Sequence, residues 1–78
     1  MLEKINSLIA DISETKVSGV EELESFRLKF LSKKGLISEL FEEFRNVLPV
    51  EKKEIGQRLN FLKQCALDKY NLLKSEIL

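Results

Sequence analysis

The feature that most constrains the fold is an apolar stripe in the last thirty residues of the sequence. Pro49 is the only proline, and beyond it apolar residues recur at steps of three and four. This spacing is the period of an α-helix, so the side chains share one face. The stripe comprises Ile55, Leu59, Leu62, Ala66, Tyr70, Leu73 and Ile77. It predicts one nearly straight helix over about 49–78, roughly 40 Å long, with proline in its first turn.

A stripe of this length needs a partner, and only the middle of the chain is comparably long. Between Val20 and Asn46 apolar residues recur at the same spacing, interrupted at Ser32-Lys33-Lys34-Gly35. Gly35 can adopt a left-handed backbone, which indicates a helix end or a kink within a helix over about 19–46. The short Val47-Leu48-Pro49 turn makes the two long stretches antiparallel neighbours.

The first segment predicts a shorter helix over about 2–15, packed near the base of this hairpin. Its apolar face is formed by Ile5, Leu8, Ile9 and Ile12. Ser18 and Glu21 have the spacing of a capping box, which favours a new helix start there. The predicted fold class is therefore all-α, with residues 1–78 forming a single domain that consists of a short helix and a long antiparallel helical hairpin, or coiled-coil arm. The last residues include no helix stop signal, so we expect further protein after Leu78.

Composition excludes most catalytic chemistry for these residues. The chain has one cysteine, Cys65, and no histidine, so it lacks a Cys-His dyad, a Ser-His-Asp triad and a His-ligated metal. The carboxylate pair Glu42 and Glu43 falls on a polar helix face without a polarising group. We expect no catalytic residue, metal site or cofactor on this chain, no membrane segment, and a cytoplasmic location.

The distribution of charge is more informative than its balance. Thirteen basic and thirteen acidic residues give a net charge of zero, but the first 24 residues are predominantly acidic. Two basic groups follow, the first without an intervening acid. They are Arg27, Lys29, Lys33 and Lys34, and then Arg58, Lys63, Lys69 and Lys74. Such runs are commonly solvated helix faces, and nucleic-acid binding is the functional alternative.

Residues 27–35, RLKFLSKKG, resemble the R-x-x-Y-L-G-K-K-G signature of the N-terminal domain of phenylalanine-tRNA ligase α subunits. At matching distance follow Leu48-Pro49 and Glu51, and then the G-x-x-(I/L)-N-x-x-K pattern of Gly56, Asn60 and Lys63. The resemblance covers about residues 20–78. Phe30 and Ser32 depart from it, since the family commonly has tyrosine and glycine there.

The resemblance implies a coiled-coil arm that binds tRNA(Phe) and performs no chemistry itself. It further implies a parent enzyme of protein biosynthesis, in which a class II catalytic domain after Leu78 uses ATP and Mg²⁺ to aminoacylate the tRNA. The β subunit of an (αβ)2 heterotetramer would be the protein partner. On this chain the predicted tRNA-binding residues are Arg27, Lys33, Lys34, Arg58 and Lys63.

Each of these residues also has a structural interpretation. Lys33 and Lys34 can simply end a helix, where cations are favoured, and Arg27 can instead pair with Glu24 or Glu42. Three further residues are predicted to have structural roles. They are Gly35 at the kink, Gly56 close to a facing backbone, and Asn60 hydrogen-bonded to the Lys34–Gly35 region.

A different function class also fits the sequence, namely a helical dimerisation or scaffold coiled coil without nucleic-acid binding. It requires a second apolar stripe that stays exposed when the hairpin closes. Phe61, Leu67 and Leu72 are the candidates for that stripe. Light scattering distinguishes the two classes, because a scaffold of this kind self-associates.

Overall fold

The computed structural model describes all 78 residues, and they form four α-helices without a strand. The helices are α1 (Leu2–Glu14), α2 (Val20–Phe26), α3 (Leu36–Phe44) and α4 (Pro49–Ile77), and α2 continues into a π-helical turn at Arg27–Leu31. The predicted all-α fold is confirmed, with a long last helix preceded by a bent one. The molecule measures 43 × 19 × 16 Å, and the 29 residues of α4 span its full length.

Helix α1 lies beside the middle of α4 and runs parallel to it. Arg58 donates a hydrogen bond to Asn6 Oδ1 (2.8 Å), and further along both helices Lys69 donates to the Ser13 carbonyl (3.3 Å). Near the other end of α1, Lys4 pairs with Glu43 of α3 (3.3 Å). The first helix therefore packs along the hairpin as a third layer and is not restricted to its base.

Helix α3 runs antiparallel to α4, as the short turn at Pro49 predicts. Phe44 lies against Gly56 and the Lys52 ammonium, whereas the earlier Phe41 lies under the later Lys63. The chain therefore folds up, down and up again as a three-layer helical bundle. Its middle layer is the interrupted run from α2 through the π turn to α3.

All three layers contribute to one hydrophobic core. The core cluster consists of Ile5, Ile12, Phe26, Phe30, Ile37, Leu40, Ile55, Leu59, Leu62 and Ala66. Leu73 is also buried, and Tyr70 and Ile77 are half-buried, so the predicted stripe of α4 faces inward along its whole length. Val20, the first apolar residue of the middle stripe and predicted by its spacing to face inward, is instead 59% exposed. It is the first residue of α2, and the inward face of that helix begins one turn later, at Leu23.

The start of α2 differs from the predicted capping box. Gly19 is the N-cap, and the Ser18 N–H (2.8 Å) and hydroxyl both donate to the Glu22 carboxylate. Because Gly19 takes the cap position, Glu22 becomes the third helical residue and reaches back to Ser18. The predicted pairing with Glu21 is therefore wrong by one position. These hydrogen bonds hold the pKa of Glu22 below its usual range.

The interruption between α2 and α3 is organised by Ser32. Its backbone is extended, and its hydroxyl donates to the Leu28 carbonyl (2.6 Å). The Ser32 carbonyl accepts from the Gly35 N–H (3.0 Å) and from the Ser38 hydroxyl (2.9 Å). These bonds satisfy backbone groups that the break would otherwise leave without partners.

Gly35 is required by a close contact and not by an unusual backbone. It is the N-cap of α3 with φ −76° and ψ 173°, so the left-handed conformation considered for it is not adopted. A Cβ at this position would lie 3.0 Å from the Lys29 carbonyl oxygen and 3.1 Å from the Phe30 carbonyl group. The start of α3 therefore packs directly on the backbone that ends the π turn.

Candidate nucleic-acid interface

Two of the predicted binding residues converge on the groove between α3 and α4. Lys33, from the break, and Lys63, from α4, line one cavity of about 220 Å³ together with Ser38 and Phe41. Both lysine side chains are exposed, and no acidic residue lines this cavity. Neither lysine forms an ion pair. Two unpaired cations at a solvent-filled cavity can attract one anionic group such as a phosphate.

The lysines of this groove rest on aromatic rings. The Lys63 ammonium lies 6.0 Å from the centroid of the Phe41 ring, and the Lys52 ammonium lies 5.7 Å from that of Phe44. Attraction between the cation and the ring face restrains each side chain at the edge of the groove. Both rings are half-buried. The helical spacing in the sequence predicts that these aromatic residues face inward, but it does not predict which lysine lies above each ring.

Charges on α4 are segregated around the helix. Lys52, Lys63 and Lys74 are eleven residues apart, which is three turns to within about 20° of rotation per step. The acidic residues of α4 lie about 100° or more around the helix from each lysine of this row. They are Glu51, Glu54, Asp68 and Glu76. On α3, Glu39 and Glu43 line the cavity that faces α1, and the third acid, Glu42, is paired with Arg45 (3.4 Å). The α3–α4 groove is therefore the basic side of the bundle.

Arg27 does not line the cavity between Lys33 and Lys63, and its side chain is engaged elsewhere. Its Nε donates to the Glu24 carboxylate (3.0 Å), and its terminal nitrogen contacts the same oxygen. Glu24 raises the pKa of Arg27, and Arg27 in turn holds the pKa of Glu24 below its usual range. Of the alternatives that the sequence left open, the pairing with Glu24 is the one observed. Lys34 is exposed next to Lys33 and has no ion-pair partner.

Arg58 also lies away from Lys63, about 140° around α4. It is held by Asn6 of α1, and its guanidinium lies 5.1 Å from the Phe61 ring, which is 50% exposed. Arg58 therefore faces the α1 side of the bundle. Lys33 and Lys63 line the same cavity, which neither Arg27 nor Arg58 lines.

The structural roles predicted for two residues of α4 are not observed. Asn60 is exposed and makes no side-chain hydrogen bond to the Lys34–Gly35 region, because its position on α4 faces solvent. Gly56 was expected to face backbone, but a Cβ there would lie 3.3 Å from Phe44 Cζ. The neighbour is thus a ring end and not a main chain.

Lys52 and Lys74 are not among the binding residues predicted from the sequence. The signal that identifies them is the eleven-residue spacing around Lys63, which was present in the sequence. The eleven-residue spacing places the three lysines on one face only if α4 is continuous, and that face is basic only because the acids of α4 lie on other faces.

No helix of the structure combines the length and the apolar character that crossing a membrane requires.

Comparison with known proteins adds family information. Residues 18–78 match the family described as "Aminoacyl tRNA synthetase class II, N-terminal domain". The chain is similar to phenylalanine–tRNA ligase α subunits from Bacteroides thetaiotaomicron (49% identity over 76 residues, 97% of this chain and 22% of that protein), Porphyromonas gingivalis (49% over 74 residues, 95% and 22%) and Christiangramia forsetii (43% over 77 residues, 99% and 23%). It thus spans less than a quarter of the length of these relatives. No solved structure matches it.

Proposed function

Because this chain belongs to the N-terminal domain family of class II aminoacyl-tRNA synthetases, we propose that it is the tRNA-binding arm of a phenylalanine-tRNA ligase α subunit. The observation that carries the proposal is the convergence of Lys33 and Lys63 on a groove that no acid lines. Lys33 comes from the break in the middle layer and Lys63 from the continuous helix α4, and both line the same cavity.

The groove acts on RNA by electrostatic attraction to phosphates. Each ammonium is a point charge with three donors, which suits a phosphate oxygen without reading the base attached to it. Such contacts fix the position and orientation of the tRNA and leave its selection to other parts of the enzyme. The predicted contacts at Arg27 and Arg58 are secondary in this arrangement, since both side chains already have partners within the chain. Lys34, exposed beside Lys33, is a further proposed phosphate contact.

The rest of the proposal concerns the longer protein. The relatives are named as α subunits of phenylalanine–tRNA ligase, and this chain spans 22% of the first of them. We extend to this protein the ATP-dependent and Mg²⁺-dependent aminoacylation of tRNA(Phe) by a class II catalytic domain following residue 78. The same extension gives a β-subunit partner in an (αβ)2 assembly and a cytoplasmic location. Within the arm itself, the proposed role is binding only.

Salt-dependent binding of tRNA(Phe) tests the role of the groove. Nonspecific RNA contacts of this kind have dissociation constants of about 10⁻⁴ to 10⁻⁶ M, and affinity falls linearly with salt on logarithmic axes. Replacing Lys33 and Lys63 with glutamine should lower the salt slope by about two, roughly one unit per lost phosphate contact. The matched control replaces Lys16, between α1 and α2, and Lys69, which donates to Ser13 of α1 and lies about 120° around α4 from Lys63.

The control should retain the wild-type slope, because it removes the same charge without touching the groove. Equal slopes for both double variants would contradict the groove as the binding site. Absence of tRNA binding by the folded wild-type chain would contradict the proposed function as a whole.

The scaffold alternative has a narrower basis in the structure. Phe61 and Leu72 are about half exposed on the side of α4 next to α1, but Leu67 lies more than about 100° away around the helix. The expected second stripe is therefore not continuous. A monomer by light scattering, at concentrations where tRNA binds, would exclude this alternative.

A further inference from the structure

We propose that Lys52 and Lys74 extend the binding site along the whole of α4, and that its ligand is a double-helical segment of RNA lying lengthwise on this edge. This inference rests on the proposed function and makes it more specific, because it names a stem, and not an unpaired loop, as the recognised part. The row of Lys52, Lys63 and Lys74 is called the lysine row below.

The first step is geometric. Successive members of the lysine row are separated by eleven residues, or about 16 Å along the axis, so the row is about 33 Å long. Helix α4 continues from Pro49 to Ile77 without a break, and its inward face is anchored in the core along its length. The three cations are therefore held at fixed intervals by one rigid element.

The second step concerns charge. The acidic residues of α4 lie on other faces, and Glu39 and Glu43 of α3 face α1. The remaining acid of α3, Glu42, is paired with Arg45 (3.4 Å), so the lysine row meets no unpaired acid from its own helix or from α3. Lys33 adds a fourth cation beside Lys63. Glu24 of α2 is neutralised by Arg27. An extended row of one sign attracts an extended array of the opposite sign.

The third step distinguishes paired from unpaired RNA. Proteins that bind single strands combine a basic groove with exposed aromatic faces on which bases stack. In this groove Phe30 is buried, and the Phe41 and Phe44 rings are half-buried beneath lysine ammonium groups. No free ring face is left for a base. RNA stems, in contrast, are recognised through shape and through contacts to phosphates and 2′-hydroxyls.

Rigidity favours the same ligand. A stem presents its phosphates in a fixed, regular array, so it can meet a fixed row of cations without being ordered on binding. A flexible single strand would lose conformational entropy to align with the same row. The edge along α4 is therefore complementary to a stem in charge, in length scale and in rigidity.

The test compares two RNAs and two variants. The RNAs are a duplex of about 16 base pairs, the length that double-stranded RNA-binding domains span, and one of its single strands. The variants are Lys52→Gln with Lys74→Gln, and the control Lys16→Gln with Lys69→Gln, which removes two lysines away from the row. Circular dichroism and thermal melting establish that each variant is folded. Binding is then measured over a range of salt concentrations.

We expect the wild-type chain to bind the duplex more tightly than the single strand. The Lys52/Lys74 variant should lose about two units of salt slope for the duplex, and the control should lose none. Equal affinity for the two RNAs, or equal slopes for the two variants, would overturn the inference. Those results would leave the proposed function standing, since it depends on tRNA binding and on the Lys33/Lys63 variant. If the folded wild-type chain binds neither tRNA nor the duplex, both proposals are overturned.

Discussion

Helix α4 and the run from Val20 to Phe44 carry similar apolar stripes, yet only α4 is continuous. Each contains one glycine that helical periodicity passes over, Gly56 in α4 and Gly35 in the run. Gly56 stays helical against the edge of the Phe44 ring, whereas Gly35 lies against the carbonyl groups of Lys29 and Phe30. The comparison teaches that periodicity selects the buried face, but that close backbone contacts decide whether a helix continues.

The two regions also contribute differently to the basic groove. The continuous helix sets a regular spacing, because every residue advances by the same rise and rotation. The interrupted run releases Lys33 from helical register and allows it to meet Lys63. A single unbroken helix in the middle layer would place Lys33 according to the period of that helix alone.

The largest expected effect tests whether the inward face of α4 is buried in the core. Leu62 is 0% exposed, so Leu62→Ala should lower the free energy of unfolding by about 2–5 kcal/mol through lost burial and a residual cavity. Leu72 on the same helix is 53% exposed, and Leu72→Ala should change the free energy of unfolding by only about 0.5 kcal/mol. Chemical denaturation measures both, and similar losses would mean that α4 is not packed as described.

The second effect tests the interrupted run. Gly35→Ala should destabilise the protein by about 1–3 kcal/mol, because the new methyl group is forced against two backbone carbonyls that cannot move independently. The backbone angles of Gly35 are accessible to alanine, so strain in φ makes no contribution. Denaturation again measures the effect, and an unchanged midpoint would show that the π turn adjusts freely.

The corresponding change in the continuous helix should have the opposite sign. Gly56→Ala removes a helix-weakening residue, which is worth up to about 1 kcal/mol, and requires only a small shift of the half-buried Phe44 ring. We therefore expect a higher melting temperature. A lower one would show that the ring is fixed by its neighbours and that both glycines are required for packing.

The smallest effect concerns how the interrupted run begins. The pKa of Glu22 is held below its usual range by Ser18, so the protonated form is disfavoured in the folded state. The contribution of the Glu22 carboxylate to the free energy of unfolding is present above the unfolded-state pKa and is lost as the pH falls through the lowered folded-state pKa. Glu22→Gln should slightly flatten the acid side of the stability profile. Glu21→Gln is the matched control, and identical profiles for the two variants would contradict the role of Ser18.

Much of this architecture follows from the sequence because it depends on periodicity and on proline. The boundaries of α1 and α4 fall within one residue of the predicted ones, and the position of the break is correct. The π turn at Arg27–Leu31 has no periodic signature, since Phe26 and Phe30 face inward with or without it. The role of Gly35 likewise depends on a contact between distant atoms that a sequence pattern does not contain.

The candidate site is less accessible to prediction for a related reason. Salt-bridge partners such as Glu24 for Arg27 are chosen among several carboxylates within reach, and only coordinates decide among them. Convergence of Lys33 with Lys63 depends on how the broken layer is set against α4. The lysine row, in contrast, depends only on the continuity of one helix and could have been predicted from the eleven-residue spacing.

The phenyl rings beneath Lys52 and Lys63 have a consequence for the entropy of binding. A free lysine side chain loses about 1.5–2 kcal/mol of rotamer freedom when it is immobilised. An ammonium group already attracted to a ring face samples fewer rotamers before RNA arrives, so less of that freedom remains to be lost. In the proposed RNA complex the groove is in this sense preorganised, and its rings would strengthen the affinity without contacting the RNA.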